Sequence, residues 1–289
     1  MIQGFDFIEG EIEVKKALAD NHINMVGTHD WGIYDEDLFK YIELKLREKS
    51  DKNKLYVVMT TTNHPPFELP LSYKTDAIAN ELDIKNFPEA SRIIDPHLAS
   101  ARFKTYRYSS DALSTFIDLI KNSELKKSTL IAATGDHSSW LVNFNSNERF
   151  IKDTVPFYLY VPENIRQAHS LNKLTFESSF GSHMDIWPTI YNLSLNDADY
   201  DSFGSDMFLE KNLTFALNNS RLIVSPTSAA FVHNGDQSSY FDRTALGQLD
   251  LFEPSLVTTT THQALELKYK SLMGSLDSYL NHSKNFGSK

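Results

Sequence analysis

The chain has 289 residues, of which 41% are apolar and 23% charged, and it contains no cysteine. This composition is typical of a globular protein with a sizeable core, and it excludes disulfides, cysteine-based zinc sites and a cysteine nucleophile. The net charge of −10 argues against a nucleic-acid-binding surface or a basic membrane patch. Neither a signal peptide nor an apolar run of about 18 residues is present, so any such segment would lie outside this chain.

The first half of the chain predicts helices that alternate with apolar strands. Residues 35–49 predict an amphipathic helix, because Asp35 suits the N-cap and basic residues gather in the last turn. The continuous β-branched and apolar run 55–62 predicts a central parallel strand covered on both faces. Residues 72–99 predict an irregular excursion, and 102–121 a helix with one apolar face.

The second half of the chain continues this alternation and then changes character after residue 215. The predicted elements are strands at 129–134 and 155–161, a helix at 184–193 with an early proline, short strands at 221–225, 229–233 and 239–242, a hairpin at 240–247, and a final helix at 262–281. We therefore expect an α/β fold with a mostly parallel sheet covered by helices on both faces, a small C-terminal β-hairpin region and a terminal helix.

The pair Asp136–His137 is the strongest candidate for chemistry. It directly follows the predicted strand 129–134, and open α/β sheets place their chemistry at the carboxyl ends of strands. A carboxylate beside an imidazole is a suitable half-site for a divalent metal such as Zn²⁺ or Mn²⁺. An ordinary turn without a ligand is the alternative interpretation.

Two further histidines are candidates for the same rim. His64 follows the run 55–62, and Pro65–Pro66 after it would limit the mobility of its loop. His183 precedes a predicted helix and is either a second rim imidazole or a helix-capping residue without a ligand. The stretch 29–31 (His-Asp-Trp) contains residue types that are common in active sites, but we interpret it as the entry to the helix at 35–49.

Several short motifs follow one another in a recognisable order. They are GFD at 4–6, WGIYDEDLF at 31–39, TTNHPPFEL at 61–69, YSSDALSTF at 108–116, TGDH at 134–137, VPFYLYVP at 155–162, SHMDIWPT at 182–189 and FGSDMF at 203–208. This order resembles the sulfatase-like domain of the lipoteichoic acid synthase and phosphoglycerol transferase family, within the alkaline phosphatase superfamily. The resemblance covers roughly residues 1–245.

The resemblance implies a division of the chain and a set of site residues. Residues 1–245 would form the sulfatase-like α/β domain, and 246–289 a C-terminal extension with an amphipathic helix. Asp136 and His137 would hold one divalent metal ion, manganese or zinc first and magnesium as a further option. His64 would contact the substrate phosphate or the leaving group, and His183 remains a second substrate-binding candidate from its place on the rim.

The resemblance also implies an activity. The expected function is metal-dependent phosphoglycerol or phosphoethanolamine transfer, or sulfatase-like hydrolysis of phosphate or sulfuric esters, in the bacterial cell envelope. The expected partner is a phospholipid head group or a phosphorylated or sulfated glycan, on the extracytoplasmic side of the membrane.

The family's acidic metal ligand and nucleophilic threonine precede its GFD segment. We therefore expect this chain to lack the nucleophile and to be an incomplete part of such an enzyme, associated with a membrane-bearing N-terminal part. The alternative is a non-catalytic binding module for a phosphorylated lipid or glycan.

Overall fold

The computed structural model divides the chain into two compact units. It describes residues 5–76, 83–86, 90–138, 141–145, 148–172, 180–209, 214–218, 221–233, 237–244 and 251–286. The first unit comprises Met1–Thr129 and Leu141–Asn143, and the second Leu130–Trp140 and Phe144–Lys289.

The first unit is mainly helical. Its elements are α1 (Glu11–Asp20), β1 (Thr28–His29), β2 (Gly32–Ile33), α2 (Asp35–Arg47) and α3 (Pro96–Lys121), with 3₁₀ turns at Ile84–Asn86, Ala90–Arg92 and Glu124–Lys127. The predicted helices α2 and α3 are confirmed, and they pack through the stacked rings of Phe39 and Phe116. Helix α3 begins earlier than predicted because the Asp95 side chain caps it, accepting hydrogen bonds from the backbone N–H groups of His97 and Leu98.

Two buried aspartates in the first turn of α2 tie it to neighbouring loops. Asp35 accepts hydrogen bonds from the Thr62 hydroxyl (2.6 Å) and the Thr62 backbone N–H (3.2 Å). Asp37 accepts hydrogen bonds from the backbone N–H groups of Val26 (2.8 Å) and Gly27 (3.2 Å). The chain on either side of α2 is thus fixed to the start of the helix.

The predicted strand at 55–62 is wrong. Within the described part of the chain, this segment takes part in no β ladder. The side chains of Leu55, Val57 and Met59 are 54%, 56% and 83% exposed. An apolar, β-branched run shows only that a segment would suit a covered strand, whereas a strand also needs a neighbour for its backbone groups.

The second unit contains the two predicted strands that precede and follow the loop carrying Asp136 and His137. These are β3 (Ile131–Thr134) and β4 (Phe157–Tyr160). They pair antiparallel, with Thr134 opposite Phe157. The connection therefore joins the end of β3 to the adjacent start of β4. A parallel pair would instead require a crossover to the opposite end of the sheet. All the described ladders are antiparallel, so the expected parallel arrangement is not found among the described residues.

Three helices of the second unit follow or flank these strands. They are α4 (Arg149–Lys152), α5 (Glu163–Ala168) and α6 (His183–Ser194). Helix α6 confirms the predicted helix with an internal proline, Pro188. It starts one residue earlier than predicted, so that His183 occupies its first turn.

The C-terminal part forms an antiparallel sheet and a long helix. The strands run in the order β5 (Ala216–Leu217), β6 (Leu222–Val224), β7 (Ser228–Val232), β8 (Ser238–Thr244) and β9 (Leu251–Pro254), followed by α7 (Thr260–Phe286). The predicted short strands and terminal helix are confirmed. The turn of the predicted hairpin lies outside the described residues, and the domain boundary after residue 245 stays a prediction.

Helix α7 packs on this sheet around three fully buried residues, Ile223, Ala230 and Leu265. The buried His262 adds a polar link, because its Nδ1 accepts a hydrogen bond from the Thr259 N–H (3.1 Å). Its Nε2 then carries the proton and donates to the Phe241 carbonyl at 3.1 Å. The imidazole thus joins the first turn of α7 to β8.

We expect His262→Ala to lower the free energy of unfolding by about 2–4 kcal/mol, because it leaves a cavity and two unpaired backbone groups. Urea denaturation would measure this change. His282→Ala, at an exposed position of the same helix, is the matched control and should change stability by less than about 0.5 kcal/mol. Equal effects of the two substitutions would contradict a structural role of His262.

Candidate functional site

The loop after β3 carries Asp136 and His137 at the surface of the second unit. Their side chains are 89% and 78% exposed. The loop is fixed on both sides, since the Thr134 hydroxyl donates to the Pro156 carbonyl (2.9 Å) and the Ser138 hydroxyl donates to the Lys152 carbonyl. The two candidate ligands are therefore presented to solvent by an anchored backbone.

Hydrogen bonds orient both side chains of the pair. Asp136 Oδ1 accepts a hydrogen bond from the His137 backbone N–H at 2.9 Å. His137 Nδ1 lies 3.0 Å from the Ser138 carbonyl oxygen, a contact that assigns the ring proton to Nδ1. His137 Nε2 lies 3.5 Å from Asp136 Oδ2. This spacing suits an ion pair when the imidazole is protonated and a shared cation when it is neutral.

This arrangement fits the chemistry of a divalent metal site but supplies only part of one. A histidine that binds a metal commonly donates its other ring N–H to a carbonyl or carboxylate, as His137 does. Catalytic zinc sites usually have three protein ligands. Among the residues that the structure describes, no group of three or more His, Asp or Glu side chains is placed to hold one ion.

His183 lies beside this loop. As the first residue of α6, it places Nε2 2.8 Å from the Gly135 carbonyl oxygen, to which it donates a hydrogen bond. The structure thus brings His183 together with the Asp136–His137 loop through the backbone. A direct role of His183 in substrate binding stays a prediction.

Asp185, to which the sequence alone assigned no role, holds the start of α6. This carboxylate is 2% exposed, and its Oδ2 accepts hydrogen bonds from the Ser182 N–H (2.8 Å) and hydroxyl (3.0 Å). Its Oδ1 accepts a hydrogen bond from the Ser205 N–H at 2.9 Å. The Ser-x-x-Asp spacing at 182–185 is a variant of the capping box and could have signalled this role.

Gly204 allows the chain to pass directly against the first turn of α6. A Cβ atom at this position would lie 1.9 Å from the Met184 carbonyl oxygen, which no side chain can tolerate. The close approach brings Ser205 within reach of Asp185. The motif at 203–208 thus supports the helix that carries His183.

His64 lies in the first unit, in a turn held by backbone hydrogen bonds. The His64 N–H donates to the Thr61 carbonyl (3.2 Å), and the His64 carbonyl accepts from the Phe67 N–H (2.9 Å). The buried Phe67 ring lies under the Arg102 guanidinium of α3 at 4.8 Å. The imidazole itself is exposed, and neither of its ring nitrogens has a hydrogen-bond partner within the described part of the chain.

The stretch 29–31 leads into α2, whose first turn carries the acidic residues that the sequence predicts there. It does so through the β1–β2 hairpin, where the Trp31 ring contacts that of His64, with centroids 3.6 Å apart. His29 Nε2 lies 3.3 Å from the Thr61 hydroxyl oxygen. Burial, with a contribution from the negative charge of Glu68, raises the pKa of the neighbouring Tyr34, which therefore stays a neutral phenol.

The predicted convergence of His64 with the Asp136–His137 loop involves residues of two different units and stays a prediction. Within each unit, the structure does bring candidate residues together. His183 joins the Asp136–His137 loop, and Trp31 contacts His64.

Residues 2–195 match the model of the sulfatase family. The chain belongs to the sulfatase family. The resemblance inferred from the order of its motifs is thereby confirmed.

Two curated relatives agree with this membership. The chain is 25% identical over 213 residues to the lipoteichoic acid synthase-like protein YvgJ of Bacillus subtilis, covering 68% of this chain and 31% of that protein. It is 27% identical over 137 residues to phosphoglycerol transferase I of Escherichia coli O157:H7, covering 46% of this chain and 16% of that enzyme. The chain thus spans less than a third of the length of either relative.

Two solved structures confirm the predicted α/β, alkaline phosphatase-like fold class, although the described ladders of this chain are antiparallel. One is an alkaline phosphatase superfamily protein of Vibrio parahaemolyticus, with a TM-score of 0.63 and 20% identity over 91% of this chain and 58% of that chain. The other is the lipoteichoic acid synthase LtaP of Listeria monocytogenes, with a TM-score of 0.59 and 17% identity over 86% of this chain and 60% of that chain. No helix among the described residues of this chain is long and apolar enough to cross a membrane.

We expect Gly204→Ala to lower the free energy of unfolding by at least about 3 kcal/mol, because the added methyl group collides with the Met184 carbonyl. Thermal or urea denaturation would measure this change.

Gly274→Ala is the matched control, since a Cβ there meets no atom within 4 Å on an exposed part of α7. It should raise stability by about 0.5–1 kcal/mol, as expected for Gly→Ala in an exposed helix. If Gly204→Ala were as well tolerated as the control, the tight contact between residues 203–208 and α6 would be refuted.

Proposed function

We propose that this chain acts in the metal-dependent transfer or hydrolysis of a phosphoester of the phosphoglycerol or phosphoethanolamine type. The observation that carries the proposal is the orientation of Asp136 and His137, whose facing atoms lie 3.5 Å apart at the end of β3. Membership of the sulfatase family and the names of the two curated relatives support the same chemistry.

Asp136 and His137 would hold the divalent ion, manganese or zinc first and magnesium as a further option. When bound, such an ion stabilises negative charge on a phosphoryl oxygen and makes a coordinated hydroxyl more acidic. The chain's own residues hold the ligands still. The Ser138 carbonyl fixes the tautomer of His137, and His183 restrains the loop through the Gly135 carbonyl.

His64 is the proposed substrate-binding residue of the first unit. An imidazole whose two nitrogens have no partner among the described residues can donate a hydrogen bond to a phosphoryl oxygen. In its protonated form it can also deliver a proton to a departing alkoxide. The proposed substrate is a phospholipid head group or a phosphorylated glycan, and the proposed location is the extracytoplasmic side of the bacterial envelope.

A non-catalytic binding module is the second candidate function. It is favoured by the small donor set at Asp136 and His137, which is one ligand short of a usual catalytic zinc site. A binding module would take up a phosphorylated ligand in the absence of metal. The two candidates therefore differ in whether phosphate-ester binding depends on a divalent ion.

We expect the chain to bind Mn²⁺ or Zn²⁺ weakly. The double variant Asp136→Asn/His137→Gln should bind these ions at least about tenfold more weakly, because the carboxylate charge and the imidazole nitrogen are lost. Isothermal titration calorimetry would measure both affinities. The matched control is Asp199→Asn/His169→Gln, an exposed pair elsewhere in the second unit, which should bind like the unaltered chain.

Repeating the titration with glycerol 1-phosphate, with and without Mn²⁺, separates the two functions. Binding that requires the ion supports the transferase or hydrolase proposal. Binding of equal strength without the ion supports the binding module. If both double variants bound metal equally well, Asp136 and His137 would not be the ligands.

A further inference from the structure

We propose that Trp31 is the positioning residue of His64, holding its imidazole in the orientation that contacts an anionic oxygen of the phosphorylated substrate. The inference rests on the proposed function, because it assumes that His64 meets the substrate. The ring centroids of Trp31 and His64 lie 3.6 Å apart, with 36° between their planes. The Trp31 indole N–H also donates a hydrogen bond to the carbonyl of Pro65, the next residue after His64.

Trp31 thus contacts both the side chain of His64 and the backbone beside it. The ring contact restricts rotation of the imidazole, while the indole hydrogen bond restrains the backbone of the turn. Together they limit the imidazole to a narrow set of orientations. Both His64 ring nitrogens remain without a hydrogen-bond partner among the described residues, so the oriented ring keeps its hydrogen-bonding capacity for a ligand.

The turn that carries Trp31 is itself fixed. β1 and β2 pair Thr28 with Ile33 and His29 with Gly32. The Trp31 backbone N–H donates to His29 Nδ1 at 3.3 Å. His29 Nε2 therefore carries the ring proton and donates to the Thr61 hydroxyl at 3.3 Å, on the chain just before His64. The segment before His64 and the segment after it are both attached to this one hairpin.

The exposure of Trp31 argues against a simple packing role. A tryptophan that serves only the core is expected to be well buried, yet Trp31 is 53% exposed. In the described part of the chain, its side chain makes a ring contact with His64 and a hydrogen bond to Pro65. A large exposed ring kept against an exposed imidazole indicates a surface that meets a ligand.

The ring signals of His64 in NMR spectra of the full chain test the contact directly. With isotope-labelled histidine, the His64 signals are identified by their loss in His64→Ala. We expect Trp31→Leu to abolish the ring-current displacement of these signals, and Trp31→Phe to keep part of it. Phe7→Leu, which removes another exposed aromatic ring of the first unit, is the matched control and should leave them unchanged.

Titration with glycerol 1-phosphate in the presence of Mn²⁺ then tests the role. We expect the apparent Kd to rise about two- to tenfold in Trp31→Leu, the range that corresponds to one aromatic contact, with partial recovery in Trp31→Phe. Trp31→Phe also keeps the test usable if Trp31→Leu fails to fold. A merely structural role would lower stability and change the His64 signals but would leave the Kd for glycerol 1-phosphate unchanged.

The outcomes separate the inference from the function on which it rests. Equal binding of glycerol 1-phosphate by the unaltered chain and Trp31→Leu overturns the inference and leaves the proposed function standing. Unchanged His64 signals in Trp31→Leu also overturn it. If the unaltered chain does not bind glycerol 1-phosphate through His64, both the inference and the proposed substrate role of His64 fail.

Discussion

A buried aspartate in the first turn of a helix supports each of the candidate segments. In the first unit, Asp35 of α2 binds both the hydroxyl and the backbone N–H of Thr62, two residues before His64. In the second unit, Asp185 of α6 binds Ser182 and Ser205 around His183. Burying a carboxylate is unfavourable unless its oxygens are hydrogen-bonded. Both oxygens of Asp185 are hydrogen-bonded, whereas Asp35 is bonded through Oδ1 and its buried Oδ2 has no partner among the described residues. A helix N-terminus reduces this penalty, because its dipole favours a negative charge there.

The supporting aspartates and the proposed metal ligands differ in their exposure to solvent. Asp35 and Asp185 are 1% and 2% exposed, so they are removed from any substrate, whereas the side chains of Asp136 and His137 are almost fully exposed. Hydrogen bonds of charged groups contribute about 1.5–3 kcal/mol each when both partners are present, and an unpaired buried group is destabilising. Asp35 and Asp185 therefore fix the backbone of the segments beside His64 and His183. The exposed candidate side chains then need only the correct side-chain orientation.

The sequence predicted the parts of the structure that depend on local patterns. Helices α2, α3 and α6 and strands β3 and β4 follow from periodicity and turn residues close in the chain, and the Asp-His pair follows from its place after an apolar strand. The prediction of a strand at 55–62 was wrong because the residue pattern of a segment contains no information on whether a neighbouring strand is present. The contact between Trp31 and His64 was missed because it joins residues 33 positions apart, and a ring contact leaves no spacing pattern.

The geometry of the Asp136–His137 loop indicates what would limit its affinity for a metal. The Ser138 carbonyl sets the tautomer of His137, and hydrogen bonds of Thr134 and His183 restrain the loop on both sides. Little conformational entropy would therefore be lost when an ion binds between the two side chains. The weakness of such a site would come from the number of its ligands. A further donor of suitable chemistry, from substrate or protein, would then strengthen metal binding without any rearrangement of β3 or its loop.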